Sequence, residues 1–403
     1  MLAGWRNLPF QHKESGKVIP VQAEIQCFGV VFLDSRLCGH DNVRHWGKMF
    51  QEFFGETFMS ELPERIADVQ TLEELLSRPT PELVEMMRRV EGDMMFLGAF
   101  GKIGPTLTWM ARRATDAAGT SRRIYAVGRN ISPEQRAWCE ERGIEPIRCD
   151  MLQRAQLAQL PDTPNIFYLA AMKFGTTGQE PFTWALNTYL PGLVCERFSG
   201  SRIVGYSTGN VYPLVPVGSG GSKEEDPLEP IGEYAMSCTG RERIFTYFSL
   251  TQNIPIALIR LNYAHELRYG ILVDLAQKIL AGQPIDLSMG YFNIIWQGDS
   301  NVMTLRALES VGIPARPINV TGPEILRVRE AAEELGRQLD RPVQFVGVEA
   351  PNALLSNARR AYELFGPPKV PAAQILRWVA DWLRSGGHTL GKPTKFQVRN
   401  GRF

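Results

Sequence analysis

The chain has 403 residues, with 44 basic and 43 acidic side chains for a formal net charge of +1, and is 44% hydrophobic. That length holds one large or two medium domains, and the composition is ordinary for a globular protein with a sizeable core. Balanced charge gives no long-range field to recruit nucleic acid or an anionic membrane, so any anionic ligand has to be captured locally.

Cys27, Cys38, Cys139, Cys149, Cys195 and Cys238 show no CxxC pair and no regular spacing. This is the pattern of neither a disulfide framework nor a zinc site, and the expected compartment is the reducing cytoplasm. The five histidines, His12, His40, His45, His265 and His388, have no metal-ligand spacing. No apolar run approaches the roughly 20 residues of a membrane span, and no export signal is evident at the N-terminus.

Residues 1–58 carry little periodicity, and FLDSRLCGHDNVR over Phe32 to Arg44 reads like translated intergenic sequence. Met59 is therefore the expected start; a genuine extension with a hairpin through Val18 to Leu33 is the competing reading. Residues 59–91 form a helical lead-in, with Thr71 and Glu74 as a capping box and Thr80-Pro81 as a second helix start. Apolar runs then alternate with amphipathic stretches, the βαβ pattern of a parallel sheet. The strands are expected at Met94 to Leu97, Ile124 to Val127, Pro146 to Cys149, Ile166 to Ala170, Ile203 to Tyr206 and Ile256 to Arg260, with Ser132, Pro133 and Gln135 opening one intervening helix. Helices over Leu272 to Leu280, Ile325 to Leu339 and Ala372 to Leu383 mark a smaller lobe, and Gly218 to Ser222 reads as a flexible solvated loop. The expected division is a dinucleotide-binding domain over 92–263, a substrate lobe over 264–388 and a tail over 389–403. The fold class is α/β, a doubly wound parallel sheet of Rossmann type with a smaller mixed α/β C-terminal lobe.

Gly98, Gly101 and Gly104 follow the first strand and open a helix. There a first glycine allows the strand-to-helix turn, a second lets backbone approach a pyrophosphate, and a third permits close helix packing; the helix end supplies bare amides. A purely structural tight turn is the alternative. Lys102 is a candidate phosphate contact, or a solvated lysine. Where NAD-specific proteins end the second strand in an acid, this chain has Arg129, which favours the 2′-phosphate of NADP, with NAD as the alternative. Asp150 closes the third strand as a candidate adenine contact or helix cap.

From about Gly92 to Leu383 the sequence resembles the NAD-dependent epimerase/dehydratase branch of the extended short-chain dehydrogenases/reductases. Tyr168-Leu-Ala170-Ala171-Met-Lys173 looks like the family's Ala-Gly-Leu-Lys stretch. Asn187-Thr188 matches its Asn-Val, and Tyr206-Ser207-Thr208-Gly-Asn-Val211-Tyr212 its Ser-Ser-x-x-Val-Tyr segment. Arg260-Leu-Asn262-Tyr263 and Trp296 to Asp299 are similar to later family elements, and Glu242 sits where the family often has glutamate. The resemblance implies a hydroxyl role for Thr208 and a proton-transferring role for Tyr234, 26 positions on. It also implies cofactor contacts at Ala170, Ala171 and Lys173, a small-molecule substrate, and a homodimer through helices 181–198 and 233–250.

The family's lysine four residues after the tyrosine is here Cys238. A neutral thiol cannot stabilise a phenolate by charge, and lowering a phenol by three pKa units takes roughly 4 kcal/mol. Lys173 is the first candidate to replace that ammonium, and Arg241 a poorer one. The expected function is an NAD(P)-dependent epimerase/dehydratase or oxidoreductase acting on a hydroxyl or ketone of a sugar-like or nucleotide-linked molecule. The alternative is a catalytically impaired NAD(P)-binding regulator or scaffold.

Overall fold

The computed structural model describes residues 62–173, 175 and 178–402. The leader, its candidate hairpin and the candidate start Met59 lie outside the described residues. Two short helices come first, α1 (Val69–Leu76) and α2 (Pro81–Arg89). Thr80 caps α2 by accepting from Leu83 N at 3.3 Å, as its sequence predicts. The capping box expected at Thr71 is instead a cap by Asp68, whose carboxylate accepts from Thr71 N at 2.7 Å. Glu74 is drawn away to Arg78 and Arg113.

The central sheet then builds up through β1 (Met94–Leu97), α3 (Gly104–Ala117), β2 (Ile124–Gly128), α4 (Pro133–Glu140), β3 (Glu145–Arg148) and β4 (Asn165–Tyr168). The Ser132–Gln135 capping box at the start of α4 is present in both directions. A helical stretch follows in two parts, α5 (Glu180–Trp184) and α6 (Leu190–Arg197), joined by a π-helical turn over Ala185–Tyr189. β5 (Arg202–Thr208), α7 (Gly232–Gln252) and β6 (Ile256–Leu261) complete the expected units. The spatial order is β3-β2-β1-β4-β5-β6, all parallel, extended by β7 (Arg316–Val320) beside β6. This last strand is absent from the sequence reading because Pro317 interrupts it and Pro314 stands just before it. An edge strand tolerates proline, since an unpaired edge needs no N–H donor on its outer side.

β1 shows why the sheet is buried on both faces. Met94 and Phe96 join the core formed with α2 and α3, while Met95 and Leu97 join the core under α6 and α7. A third core fills the C-terminal lobe between α8 (Ile271–Leu280), α10 (Val328–Leu339) and α12 (Ala372–Arg384), into which α1 also inserts Leu72 and Leu76. α9 (Gln297–Arg306) bridges the lobe to the sheet layer, and α11 (Arg359–Phe365) packs by β7. Paired two-residue strands, such as Ile285–Asp286 with Phe345–Val346, make the lobe mixed α/β. Among the described residues no helix is long and apolar enough to cross a membrane.

The loop over Gly218 to Ser222 exposes Gly218, Ser219 and Gly220, as expected, but its end is tied down. Ser222 is buried, donates from its backbone to Leu355 O at 2.9 Å, and accepts at its own carbonyl from Asn357 N and Asn319 Nδ2. Flexible composition is overridden here by tertiary hydrogen bonding.

Candidate functional site

The glycine loop sits where strand order reverses, between β1 and β4, at the carboxyl ends of the strands. That is where doubly wound sheets bind ligands. Each glycine has its own reason. Gly98 has φ +89°, and a Cβ there would stand 2.7 Å from Ala170 N, so the turn needs both the left-handed conformation and the missing side chain. A Cβ on Gly104 would meet Ala99 O at 2.1 Å, so α3 begins against the loop itself. Gly101 differs: it is exposed, and a Cβ there would meet only Gly98 O at 3.6 Å. Nothing in the chain requires glycine at that position. The first turn of α3 has no side-chain cap, leaving its amides for a ligand.

Along the outer end of this crevice Arg129 is exposed, with its guanidinium 5.4 Å from the Phe182 ring. Asp150 accepts from Leu152 N at 3.2 Å and so caps the turn after β3. Ala170 abuts Gly98, and Ala171 is exposed beside it. The next residue, Met172, is clamped at both backbone groups by Asn187, which accepts from Met172 N at 2.9 Å and donates to Met172 O at 3.0 Å. The position of Lys173 is thereby fixed to the π turn that carries Asn187.

Thr208 and Tyr234 meet. Thr208 ends β5 and Tyr234 stands in the first turn of α7; both are buried, and their hydroxyls are within hydrogen-bonding reach. Cys238, one turn along α7, is a buried free thiol that also hydrogen-bonds the phenol. Burial pushes both the phenol and the thiol upward, so both are protonated at neutral pH. Lys173 Nζ lies 5.8 Å from the Tyr234 ring centroid and 5.9 Å from that of Tyr263. Burial brings its ammonium down to about 8.

Arg241 takes a part that sequence reasoning underrated. Fully buried, it donates to Tyr206 O at 2.8 Å, Asn187 O at 3.1 Å and Asn187 Oδ1 at 2.9 Å. It therefore stabilises the π turn and places a fixed positive charge near Tyr234, whose phenol it pulls downward against burial. Glu242 and Arg260 form a buried ion pair beneath the site, with N···O 2.7 Å, and Ser207 donates to the same carboxylate at 2.5 Å. Arg260 also donates to Tyr212, which donates to Asn319.

Two features went unread in the sequence. Lys102 does not point along the glycine loop into solvent: its ammonium lies 3.2 Å from the centroid of the Tyr269 ring, on the turn before α8. The tail is a strap rather than a loose end. Leu390 N donates to Arg268 O and Thr394 donates twice to Asp274. Val398 packs on the Val211, Tyr212, Tyr234 and Cys238 cluster, and Gly401 closes against Ile231 and Gly232 at the start of α7. A polar stretch with glycine and proline gives no periodic signal for such a course.

No protein-family model and no curated protein matches this sequence. Solved structures do. The dTDP-glucose 4,6-dehydratase of Bacillus anthracis in complex with NAD matches at TM-score 0.62 and 16% identity, over 73% of this chain and 96% of that one. The UDP-glucuronic acid 4-epimerase of Bacillus cereus, in complex with UDP-glucuronic acid and NAD, matches at 0.60 and 18%, over 72% and 99%. MoeE5 in complex with UDP-glucose and NAD matches at 0.59 and 18%, over 73% and 99%. At these identities the likeness is one of fold: the chain shares the overall fold of these NAD-bound structures.

Proposed function

We propose that this protein is an NAD(P)-dependent enzyme of the epimerase/dehydratase or oxidoreductase type, acting on a hydroxyl or ketone of a sugar-like small molecule. The observation that carries the reading is the convergence of Thr208, Tyr234 and Lys173 beyond a glycine loop whose middle glycine has no structural reason to be one. The three glycines and the uncapped start of α3 fit a dinucleotide diphosphate. Arg129, exposed just past the end of β2, supports NADP over NAD, since a guanidinium there is free to pair with a 2′-phosphate. Bound there, nicotinamide supplies hydride transfer.

The chain supplies the proton. Thr208 holds the reacting oxygen by hydrogen bonding, and Tyr234 exchanges a proton with it. Since burial keeps the phenol protonated, the resting site is poised to donate to a ketone oxygen. Lys173 and Arg241 then offset the phenolate left behind, in place of the lysine that Cys238 displaces. Lys173 beside the Tyr234 ring favours this reading over a binder without proton-transfer machinery. Tyr234→Phe is expected to abolish turnover while leaving dinucleotide affinity within a factor of about three; unchanged turnover refutes the assignment. The exposed apolar residues Trp184, Tyr189, Met236, Tyr247 and Leu250, on α5, the π turn and α7, support a homodimer through these helices.

A further inference from the structure

Tyr234 stands in the first turn of a helix that has little of its own to hold that end. The chain enters α7 from Pro227 to Ile231 without regular structure, and the helix starts with no side-chain cap. Such ends are where helices open first. What holds this one comes from the strap over residues 389–402. Val398 packs on the Val211, Tyr212, Tyr234 and Cys238 cluster. Three residues on, the backbone of Gly401 lies against that of Gly232. Both have positive φ; a Cβ on Gly232 would stand 2.5 Å from Gly401 O, and one on Gly401 would stand 2.1 Å from Ile231 O.

The strap is in turn fixed by the C-terminal lobe. Thr394 donates twice to Asp274 on α8, and Phe396 is buried in the lobe core with its ring centroid 6.1 Å from that of Phe292. Arg399 donates to Ser288 O and to Asn352 O, each at 3.1 Å. Between these anchors Lys395 takes a left-handed φ of 55°, uncommon for a residue with a side chain, and Val398 N donates to Lys395 O at 3.1 Å across the turn. Strain of this kind persists where the surroundings over-determine it. On the functional reading above, in which Tyr234 moves the proton, we infer that the strap is a positioning element of the site, with Val398 and Gly401 setting the phenol against Thr208. Gly401 and Gly232 have no side chains to bury, so their contact fixes geometry where a mere apolar cover would not need it.

The full chain is labelled with 3-fluorotyrosine, and the fluorine resonance of Tyr234 is identified by its loss in Tyr234→Phe. Val398→Ala and Gly401→Ala are expected to shift or broaden that resonance while that of Tyr125, on β2, stays in place. Val398→Ile is expected to return it toward its position in the unaltered chain. Alkylation by N-ethylmaleimide, located by peptide mass spectrometry, should be about tenfold faster at Cys238 in both alanine variants and unchanged at Cys139, Cys149 and Cys195, since only Cys238 lies under Val398. An unmoved Tyr234 resonance in both alanine variants overturns the inference. So does equally faster alkylation at all four thiols, which is general loosening of the fold. NADPH affinity is measured on the same samples: its absence from the unaltered chain sinks the functional reading, while the resonance and the thiol still report whether the strap holds the phenol. Circular dichroism checks that the variants fold.

Discussion

Alanine at Gly101 separates what the glycine loop does for the fold from what it does for a ligand. Gly101 does not have the positive φ found at Gly98, and a Cβ there would meet only Gly98 O at the ordinary contact distance of 3.6 Å. Replacing glycine at a conformation alanine can adopt stabilises a protein by about 0.4–1 kcal/mol through the unfolded chain. Gly101→Ala is therefore expected to unfold in urea at or slightly above the midpoint of the unaltered chain. The same methyl would stand where a diphosphate approaches the backbone. Losing even one charge-assisted hydrogen bond, at about 1.5–3 kcal/mol, lowers affinity tenfold or more. Gly104→Ala is the contrasting control: its Cβ would press on Ala99 O at 2.1 Å, and overpacking of that kind typically costs about 1–3 kcal/mol. Urea denaturation and calorimetric titration with NADPH, run side by side on both variants, read the two effects independently. A Gly101→Ala chain that binds dinucleotide as tightly as the unaltered protein refutes the reasoning.

Three further outcomes follow from the site. Glu242→Gln leaves Arg260 buried without its counter-charge and is expected to lower unfolding free energy by about 3–5 kcal/mol; a loss below 1 kcal/mol in urea denaturation contradicts the assigned pairing. Because burial depresses Lys173 to about 8, the protonated form is lost as pH rises through that value. Turnover that depends on its ammonium should fall above pH 8, and Lys173→Met should lack that limb; an identical profile in the variant assigns the limb elsewhere. Arg129→Ala is expected to weaken NADPH binding about tenfold and leave NADH binding unchanged, whereas equal losses would remove the proposed 2′-phosphate contact.

Sequence periodicity placed the parallel strands within two residues of their bounds because buried strands of this kind are short apolar runs between turn residues, as in Met94–Leu97. It failed where tertiary contact overrides local preference. Pro317 hid an edge strand, Asp68 outcompeted Thr71 as a cap, and Ser222 was drawn into a buried network despite four neighbours of flexible composition. Thr208 and Tyr234 were legible as a pair only through the family resemblance of their motifs, and the packing of β5 against α7 is what brings their hydroxyls within reach. The partners of that pair were less so. Arg241 acts through three bonds to Asn187 and Tyr206, and Asn187 sits in a π turn that no local pattern announces. Lys102 and the strap residues Thr394 and Val398 owe their places to contacts more than 100 residues away in the chain.

Calorimetric titration of the purified chain with NADPH and with NADH tests the central claim most directly. Saturable binding to one site per chain is expected, tighter for NADPH. No saturable heat from either dinucleotide would contradict the assignment of the glycine loop, and with it the proton-transfer role of Tyr234.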